Sequence, residues 1–245
     1  MAKGSKTKNS PAKQFLRKLW KWSKRIFIWL FIFQLFYIIL LKWVNPPITF
    51  TQLVSWVSGH GLKRDYVKRN NISPQARLAV IASEDQLYPD HHGFDWKSIK
   101  KALAYNKRKP GRIRGGSTIS QQVAKNVFLW QGRSWVRKGL ETYFTFMIET
   151  IWGKKRILEV YLNVIEMGDG IFGVEAASQY YFNKSAKDLT KQEAAMIAAS
   201  LPNPKRYRVK PASLWLTKRA SFIQRQMDFL HTDEDIIKIT GIKPP

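Results

Sequence analysis

The N-terminal part of the chain divides into a polar stretch and an apolar one. Residues 1–25 carry nine Lys/Arg and no acidic residue, whereas none of the residues from Ile26 to Leu41 carries a formal charge. As a helix, this apolar run is about 24 Å long, and Lys42, whose ammonium can reach the interface, extends it with its two neighbours toward the ~30 Å hydrocarbon core of a bilayer. The pattern predicts a basic cytoplasmic tail followed by a transmembrane anchor over residues 26–44.

Two other interpretations explain the apolar segment less well. A buried helix of a soluble protein is rarely apolar on every face. A signal peptide has a shorter apolar region and a cleavage site between small residues, which the sequence of residues 42–47, KWVNPP, does not offer. The positive charge that precedes the anchor predicts a cytoplasmic N-terminus, so residues 46–245 lie outside the cytoplasm.

Beyond the anchor, apolar residues recur mostly at helical spacing. No β-hairpin pattern stands out, and we predict a mainly α-helical fold with one globular domain over residues 71–245. Residues 45–70 form a membrane-proximal connector, within which residues 48–60 are apolar enough to be either an ordinary core helix or strand, or a surface lying on the bilayer. Four cap residues predict helix starts, the last of them in a capping box with Glu193: Ser73, Asp95, Ser134 and Thr190.

Composition narrows the range of partners. The formal net charge is +25, which favours anionic partners: nucleic acid, acidic lipid head groups or a phosphorylated substrate. The chain has no cysteine, which excludes disulfides and thiol chemistry, and its four histidines lack metal-ligand spacing. The basic run at residues 107–114 is typical of a nucleic-acid patch by letter. Outside the cytoplasm it meets lipid or substrate phosphate instead, so we expect no nucleic-acid partner.

The stretch from Glu84 to Glu141 carries the candidate chemistry. Between its opening Glu84-Asp85 pair and its closing Glu141 lie twelve Lys/Arg and only two acidic residues. Carboxylates that frame a basic interior suit acid/base chemistry on an anionic substrate. Glu84 follows an apolar helix, where desolvation favours the neutral form of a carboxylate. A surface Glu-Asp pair at a helix end would have the same sequence.

A helix start with several donors lies in the middle of this stretch. Ser117 and Thr118 can cap it, so that its free N–H groups face an anion. Three side chains at adjacent helical positions add donors: Gln121, Gln122 and Lys125. An ordinary cap remains the alternative. Further along, Arg137, Lys138 and Glu141 share one helical face, which could also be a surface ion pair. The glycines of Gly168–Gly173 match a dinucleotide-binding spacing but follow a predicted helix, not a strand, and we reject that function.

Together these residues resemble the peptidoglycan glycosyltransferase family, the polymerase module of class A penicillin-binding proteins. The resemblance covers roughly residues 70–210. Tyr88 stands where the family usually has Phe, and Ser120 where Thr is commoner. No Lys-Thr-Gly motif follows, so no transpeptidase domain is expected. Five blocks match in order: EDxxYxxHxG at 84–93, GGSTISQQ through Lys125-Asn126 at 115–126, RKxxE at 137–141, KxRILExYLN through glycine at 154–168, and residues 193–204, which end in Leu-Pro-Asn-Pro.

The resemblance implies a fold, a reaction and a place in the cell. The fold is a lysozyme-like helical domain behind one transmembrane helix, in a bacterial inner membrane with the catalytic domain in the periplasm. The substrate is lipid II, and the enzyme transfers the lipid-linked glycan onto the GlcNAc 4-hydroxyl of lipid II, with inversion and release of undecaprenyl diphosphate. The expected partners are lipid II, the nascent lipid-linked glycan, the membrane and other cell-wall synthesis proteins.

The resemblance also assigns roles to residues. Glu84 is the general base and Glu141 the second essential carboxylate, which either holds nearby cations in place or helps ligate a divalent ion. No tightly bound cofactor is expected, and a divalent cation, Mg or Mn, at the donor pyrophosphate stays open. Lys125 and Arg133 match positions near that pyrophosphate. The remaining substrate-binding candidates are Asp85, Ser117, Thr118, Gln121, Gln122, Asn126, Arg137 and Lys138.

Two other functions stay open at this point. A lytic transglycosylase, which cleaves the cell wall, shares the lysozyme-like fold and the catalytic Glu but has no need of the cationic block. A non-enzymatic scaffold of the cell-wall machinery would not depend on Glu84 or Glu141.

Overall fold

The computed structural model describes residues 11–109, 115–132 and 134–244. The chain divides into two compact units, Met1–Val44 and Asn45–Pro245. The predicted substrate ligand Arg133 lies outside the described residues.

The first unit is one long helix, α1, which spans Pro11–Leu40. Its residues from Lys13 to Leu40 are long and apolar enough to cross a membrane. The helix begins well before the predicted anchor because Pro11 suits a first turn and no later Gly or Pro interrupts the basic segment. It ends at Leu40, a few residues before the predicted end of the anchor, and Pro46-Pro47 follow.

The described part of the second unit consists of ten further helices and a small sheet, as the mainly α-helical prediction requires. Ser73, Asp95, Ser134 and Thr190 cap α3, α4, α6 and α9 as predicted. The helices are Phe50–Val57 (α2), Pro74–Glu84 (α3), Trp96–Arg108 (α4), Ile119–Phe128 (α5), Trp135–Ile151 (α6), Lys154–Val164 (α7), Val174–Phe182 (α8), Lys191–Ser200 (α9), Leu214–Leu230 (α10) and Glu234–Thr240 (α11). Two 3₁₀ turns span Arg69–Asn71 and Ala186–Asp188.

The sheet corrects the expectation that the chain contains no hairpin. Its strands are Lys63–Arg64 (β1), Glu166–Gly168 (β2) and Ile171–Phe172 (β3), in the order β1-β3-β2. β2 and β3 are antiparallel and joined by Asp169-Gly170, and β1 is parallel to β3. Asp-Gly is a strong two-residue hairpin signal, but such short strands leave no alternating pattern around it.

Two glycines explain the spacing that matched a nucleotide-binding loop. Gly170 has φ +67°, and a Cβ there would lie 2.0 Å from the backbone oxygen of His60. Gly173 has φ +85°, and its Cβ would lie 2.5 Å from the backbone oxygen of Asn163. The glycines therefore permit close backbone approaches around a hairpin, and rejection of the dinucleotide function stands on structural grounds as well.

The core of the second unit consists of two helical groups. α3, α9 and α10 pack on one another, and α5 packs on α6 and α7. α3 is buried along its length from Ala76 to Ala82, and α7 and α9 are buried on most of their faces. Helices buried all round hold their ends in fixed positions, so the last residue of α3 and the first turns of α5 can build a rigid site.

Candidate active site

Glu84, the last residue of α3, has a hydrogen-bond donor on each of its carboxylate oxygens. The Ser83 hydroxyl donates to Oε1 at 3.1 Å, and the Gln122 amide nitrogen donates to Oε2 at 3.0 Å. The Tyr161 hydroxyl donates to the Gln122 side-chain oxygen at 3.3 Å. Burial, with the nearby Glu84 and Asp85 charges, raises the pKa of Tyr161 well above its usual value, so its hydroxyl stays a donor. Tyr161 thereby orients the amide that holds the carboxylate.

Asp85 points into the protein. Its buried carboxylate accepts from the backbone N–H of Ile119 at 3.0 Å and from Nε2 of His91 at 2.9 Å. Because Nδ1 of His91 accepts the backbone N–H of Gly93, the ring proton is on Nε2. The Asp85 carboxylate thus anchors the first residue of α5 beside Glu84, and these contacts leave it directed at protein groups.

At the start of α5, two of the predicted substrate ligands cap the helix and a third is exposed. Thr118 and Gln121 form a capping box: the Thr118 hydroxyl accepts the Gln121 N–H, and the Gln121 side chain accepts the Thr118 N–H. Both side chains are buried. Ser117, just before the cap, is exposed. Thr118 and Gln121 therefore satisfy the helix end itself, and Gln122 and Lys125 form the outward-facing side of this helix.

Four charged residues from α5 and α6 form one cluster, which we term the cationic cluster: Lys125, Arg137, Lys138 and Glu141. The Glu141 carboxylate is 4% exposed and pairs with Arg137 at 2.7 Å and with Lys138. Burial lowers the pKa of Lys125; Glu141 opposes this shift, and Arg137 and Lys138 add to it. Within the described part of the chain, the Lys125 ammonium makes no hydrogen bond or ion pair. The cluster carries a net charge of about +2 and is suited to an anion.

A cavity of about 440 Å³ opens beside Gln122 and Lys125 of α5. Asn126 joins two of its walls, because its side-chain oxygen accepts the hydroxyl proton of Thr51 from α2 at 3.0 Å. Glu166 also lines this cavity, although the sequence did not single it out. Burial raises the pKa of its carboxyl, while the Gly170 N–H and Lys205 act to lower it. The lining includes Thr51, Ser55, His60, Gln122, Lys125, Asn126, Gln131, Glu166 and Lys205. One carboxylate, two ammonium groups, amides and hydroxyls around one cavity suit a polar, anionic ligand.

The donor set at Glu141 does not fit a divalent metal ion. Hard cations such as Mg²⁺ require several oxygen ligands, and both oxygens of Glu141 already pair with Arg137 and Lys138. Among the residues that the structure describes, no group of three or more His, Asp or Glu is arranged to hold a metal ion.

Comparison with known proteins identifies the family. The model of the Transglycosylase family matches residues 51–228, which include α3 to α9 and the residues that line the cavity. This chain belongs to the transglycosylase family. It is 60% identical over 166 residues to the biosynthetic peptidoglycan transglycosylase of Mannheimia succiniciproducens, which covers 68% of each chain. It is 58% identical over 179 residues to that of Escherichia coli, covering 72% of this chain and 74% of the relative, and matches that of Shigella boydii equally well.

These matches confirm the family and the lysozyme-like helical fold expected from the sequence. The chain is a peptidoglycan transglycosylase, and it functions in peptidoglycan synthesis and cell-wall formation. Within this transglycosylase, Glu84 and Gln122 meet, as do Lys125, Arg137, Lys138 and Glu141. Asp85, Thr118 and Gln121, which the resemblance suggested as substrate ligands, contact protein groups. Sequence reasoning missed Tyr161, Glu166 and Lys205, and only the long-range packing brings them to the site.

Proposed function

We propose that this transglycosylase polymerises glycan chains from lipid II and has no transpeptidase activity. The observation that supports this function best is on α5: Gln122 holds the Glu84 carboxylate, and three residues later Lys125 presents a half-buried ammonium that has no partner among the described residues. Gln122, which holds the base, and Lys125 are about 4.5 Å apart along the axis of α5, and a base near a cation matches a reaction in which a hydroxyl loses a proton while an anion departs.

The proposed reaction is a single displacement. Glu84 accepts the proton of the GlcNAc 4-hydroxyl of the acceptor as that oxygen attacks the anomeric carbon of the donor MurNAc. The bond from this carbon to the α-linked pyrophosphate breaks, and its electron pair leaves with undecaprenyl diphosphate. Because attack and departure are on opposite faces, the new bond is β-1,4. Ser83 and Gln122 hold the ionised carboxylate in place before the proton arrives.

The cationic cluster provides the charge for the leaving group. Preorganised cations lower the barrier because negative charge grows on the pyrophosphate during departure. Lys125, Arg137 and Lys138 would contact its oxygens, and Glu141 holds the last two in position. Glu141 is therefore proposed as an organiser of cations, and we derive no step through a metal ion. Lytic transglycosylases act on uncharged glycosidic linkages and would gain nothing from such a cluster.

The membrane would both hold the protein, through α1, and supply its lipid-linked substrate. α1 fits a single-pass anchor, and we propose that it crosses the inner membrane with a cytoplasmic N-terminus and a periplasmic catalytic domain. α2 has an unusual face: Gln52 and Ser55 are buried, whereas Leu53, Trp56 and Val57 are exposed. An apolar face turned outward favours contact with lipid, which supports the bilayer interpretation of residues 48–60. Lipid II and nascent glycan are the proposed partners, together with other cell-wall synthesis proteins.

Activity on purified lipid II tests the reaction. We expect the full-length protein to form glycan polymer in detergent or vesicles. Glu84→Gln should abolish polymer formation while it leaves folding and lipid II binding intact, since the amide keeps the size but cannot accept the proton. Glu234→Gln, at an exposed site on α11, is the matched control and should retain full activity. Shortening of preformed glycan would support the lytic function instead, and full activity of Glu84→Gln would rule out the base assignment.

Topology can be tested separately because the chain has no cysteine. We expect a single cysteine at Ser221, exposed on α10, to react with an impermeant thiol reagent once the outer membrane is opened. A single cysteine at Ser23, in the basic part of α1, should react only after the inner membrane is disrupted. The reverse labelling pattern would contradict the proposed orientation.

A further inference from the structure

The hydroxyl of Ser83 lies where three packed helices meet, beside the Glu84 carboxylate. Ser83 is on α3, and its Oγ is 3.1 Å from Oε1 of Glu84. From α9, the backbone oxygen of Ala198 lies 3.2 Å from the same Oγ. From α10, Nη2 of Arg219 donates to it at 3.5 Å. One hydroxyl thus has two acceptors for its single proton and one cationic donor for its lone pair.

We propose that Ser83 and Arg219 are positioning residues that keep Glu84 ionised and aligned to accept the proton of the acceptor hydroxyl. This inference rests on the proposed function of Glu84. Neither residue takes part in the proton transfer itself: Ser83 holds the carboxylate that accepts the proton, and Arg219 acts through Ser83.

The two acceptors make the Ser83 proton follow the charge of Glu84. A carboxylate is a stronger acceptor than a backbone carbonyl, so the hydroxyl donates to Glu84 while Glu84 is ionised. Once Glu84 has taken the proton, its attraction for the hydroxyl falls and the Ala198 carbonyl becomes the better acceptor. A rotation of one hydroxyl therefore accompanies each proton transfer, and no heavy atom has to move.

Arg219 supplies a permanent charge to this arrangement. A guanidinium stays protonated throughout the working pH range. Within the described residues, Arg219 makes no ion pair; its Nε is buried without a partner, and its guanidinium lies 5.7 Å from the Trp215 ring centre. Its charge is therefore not neutralised by a carboxylate of its own. Glu84, two hydrogen-bond lengths away through Ser83, benefits from that charge.

The other titratable groups near Glu84 do not compete for this role. Tyr161 from α7 stays protonated, because burial raises its pKa far above neutral. Asp85 is occupied by His91 and the start of α5. Lys125 of α5 lies near the charges of the cationic cluster, and α9 contributes the Ala198 carbonyl. Arg219 is the cation that reaches Glu84 through a hydrogen bond to Ser83.

The test is the pH dependence of polymerisation by the full-length protein on purified lipid II. We expect Ser83→Ala to move the acidic limb of the kcat profile upward by about one pH unit, a roughly tenfold loss on that limb, with near-normal rates at high pH. Arg219→Gln should move it in the same direction. Ser83→Thr, which keeps the hydroxyl, should restore the wild-type profile.

Controls on α10 distinguish this role from a structural one. Ser221→Ala and Arg225→Gln remove the same groups at exposed positions and should leave the profile unchanged. Should Ser83→Ala or Arg219→Gln fail to fold, Ser83→Cys and Arg219→Lys give the same test, with a smaller upward shift expected. An unshifted limb, or an equal loss at every pH, would overturn the proposal. A wild-type protein that makes no polymer would instead overturn the function of Glu84.

Discussion

Replacement of Glu141 by Gln tests the cationic cluster most directly. The change keeps the shape of the side chain and removes the charge that Arg137 and Lys138 share. A glutamine can accept a hydrogen bond from one cation, but its NH₂ group then faces the other. Arg137 is 11% exposed and is left with an uncompensated charge, whereas Lys138 is 41% exposed and can turn to solvent.

The expected loss in free energy of unfolding follows from this difference in exposure between Arg137 and Lys138. Removal of one partner of a fully buried ion pair costs about 3–5 kcal/mol. With only one of the two cations enclosed, we expect a loss of about 2–3 kcal/mol, which is ~4–12 °C in Tm for a domain of this size. Inorganic pyrophosphate should raise the Tm of Glu141→Gln more than that of the wild type, because it supplies the missing negative charge.

Thermal unfolding measures the loss of stability and its recovery with pyrophosphate, and a double-mutant cycle with Arg137→Gln measures the interaction between the two side chains. We expect a coupling energy of about 1–3 kcal/mol between the two positions. Polymerisation by Glu141→Gln should fall at least about tenfold, since the cations are no longer held in place. An unchanged Tm together with no coupling to Arg137 would refute the view that Glu141 organises these cations.

Two further changes at residues that line the cavity should both raise the Tm, in contrast to Glu141→Gln. Lys125→Met should raise the Tm by ~2–4 °C, because the pKa of Lys125 is lowered by burial and the charged form is disfavoured, yet it should reduce polymerisation about a hundredfold; a lower Tm would contradict this. Burial raises the pKa of Glu166 in the folded protein above 4.5, so its contribution to stability is complete below that pH and is lost as the pH rises through the raised pKa. Glu166→Gln should therefore gain Tm over the wild type progressively from pH 4 to 7, and a gain that does not vary with pH would exclude this explanation.

The local features of the fold could be predicted from the sequence, since caps and apolar spacing act over a few residues. Ser73, Asp95 and Thr190 each cap the helix expected of them. The same rule applied to Thr118 and Gln121 predicts a capping box there, whereas the position of Gln121 beside Gln122 and Lys125 on the helix indicated a hydrogen-bond donor for the substrate. A polar side chain within a family motif can cap a helix as readily as it can bind a ligand.

The site itself depends on contacts that no local pattern contains. Gln122 meets Glu84 across 38 residues, Thr51 meets Asn126 across 75, and Arg219 meets Ser83 across 136. The family resemblance supplied Glu84 and the cationic cluster, while the packing of α3, α9 and α10 brought Ser83 and Arg219 together. The Asp169-Gly170 turn is a local signal, but the strands beside it have only two and three residues. Such short strands show no alternating pattern, so the sequence did not predict the hairpin.

In the part of the chain that the structure describes, the capping box of Thr118 has counterparts at the starts of α2 and α9, which bears on how the cavity can widen. These boxes close the first turns of α2, α5 and α9, at Thr49, Thr118 and Thr190, and residues of α2 and α5 line the cavity. A capping box satisfies two of the free N–H groups at a helix start, so the first turn frays less and these two amides exchange more slowly with solvent hydrogen. Any widening of the cavity for a bulky lipid-linked sugar should therefore come from movement of intact helices rather than from fraying of their first turns.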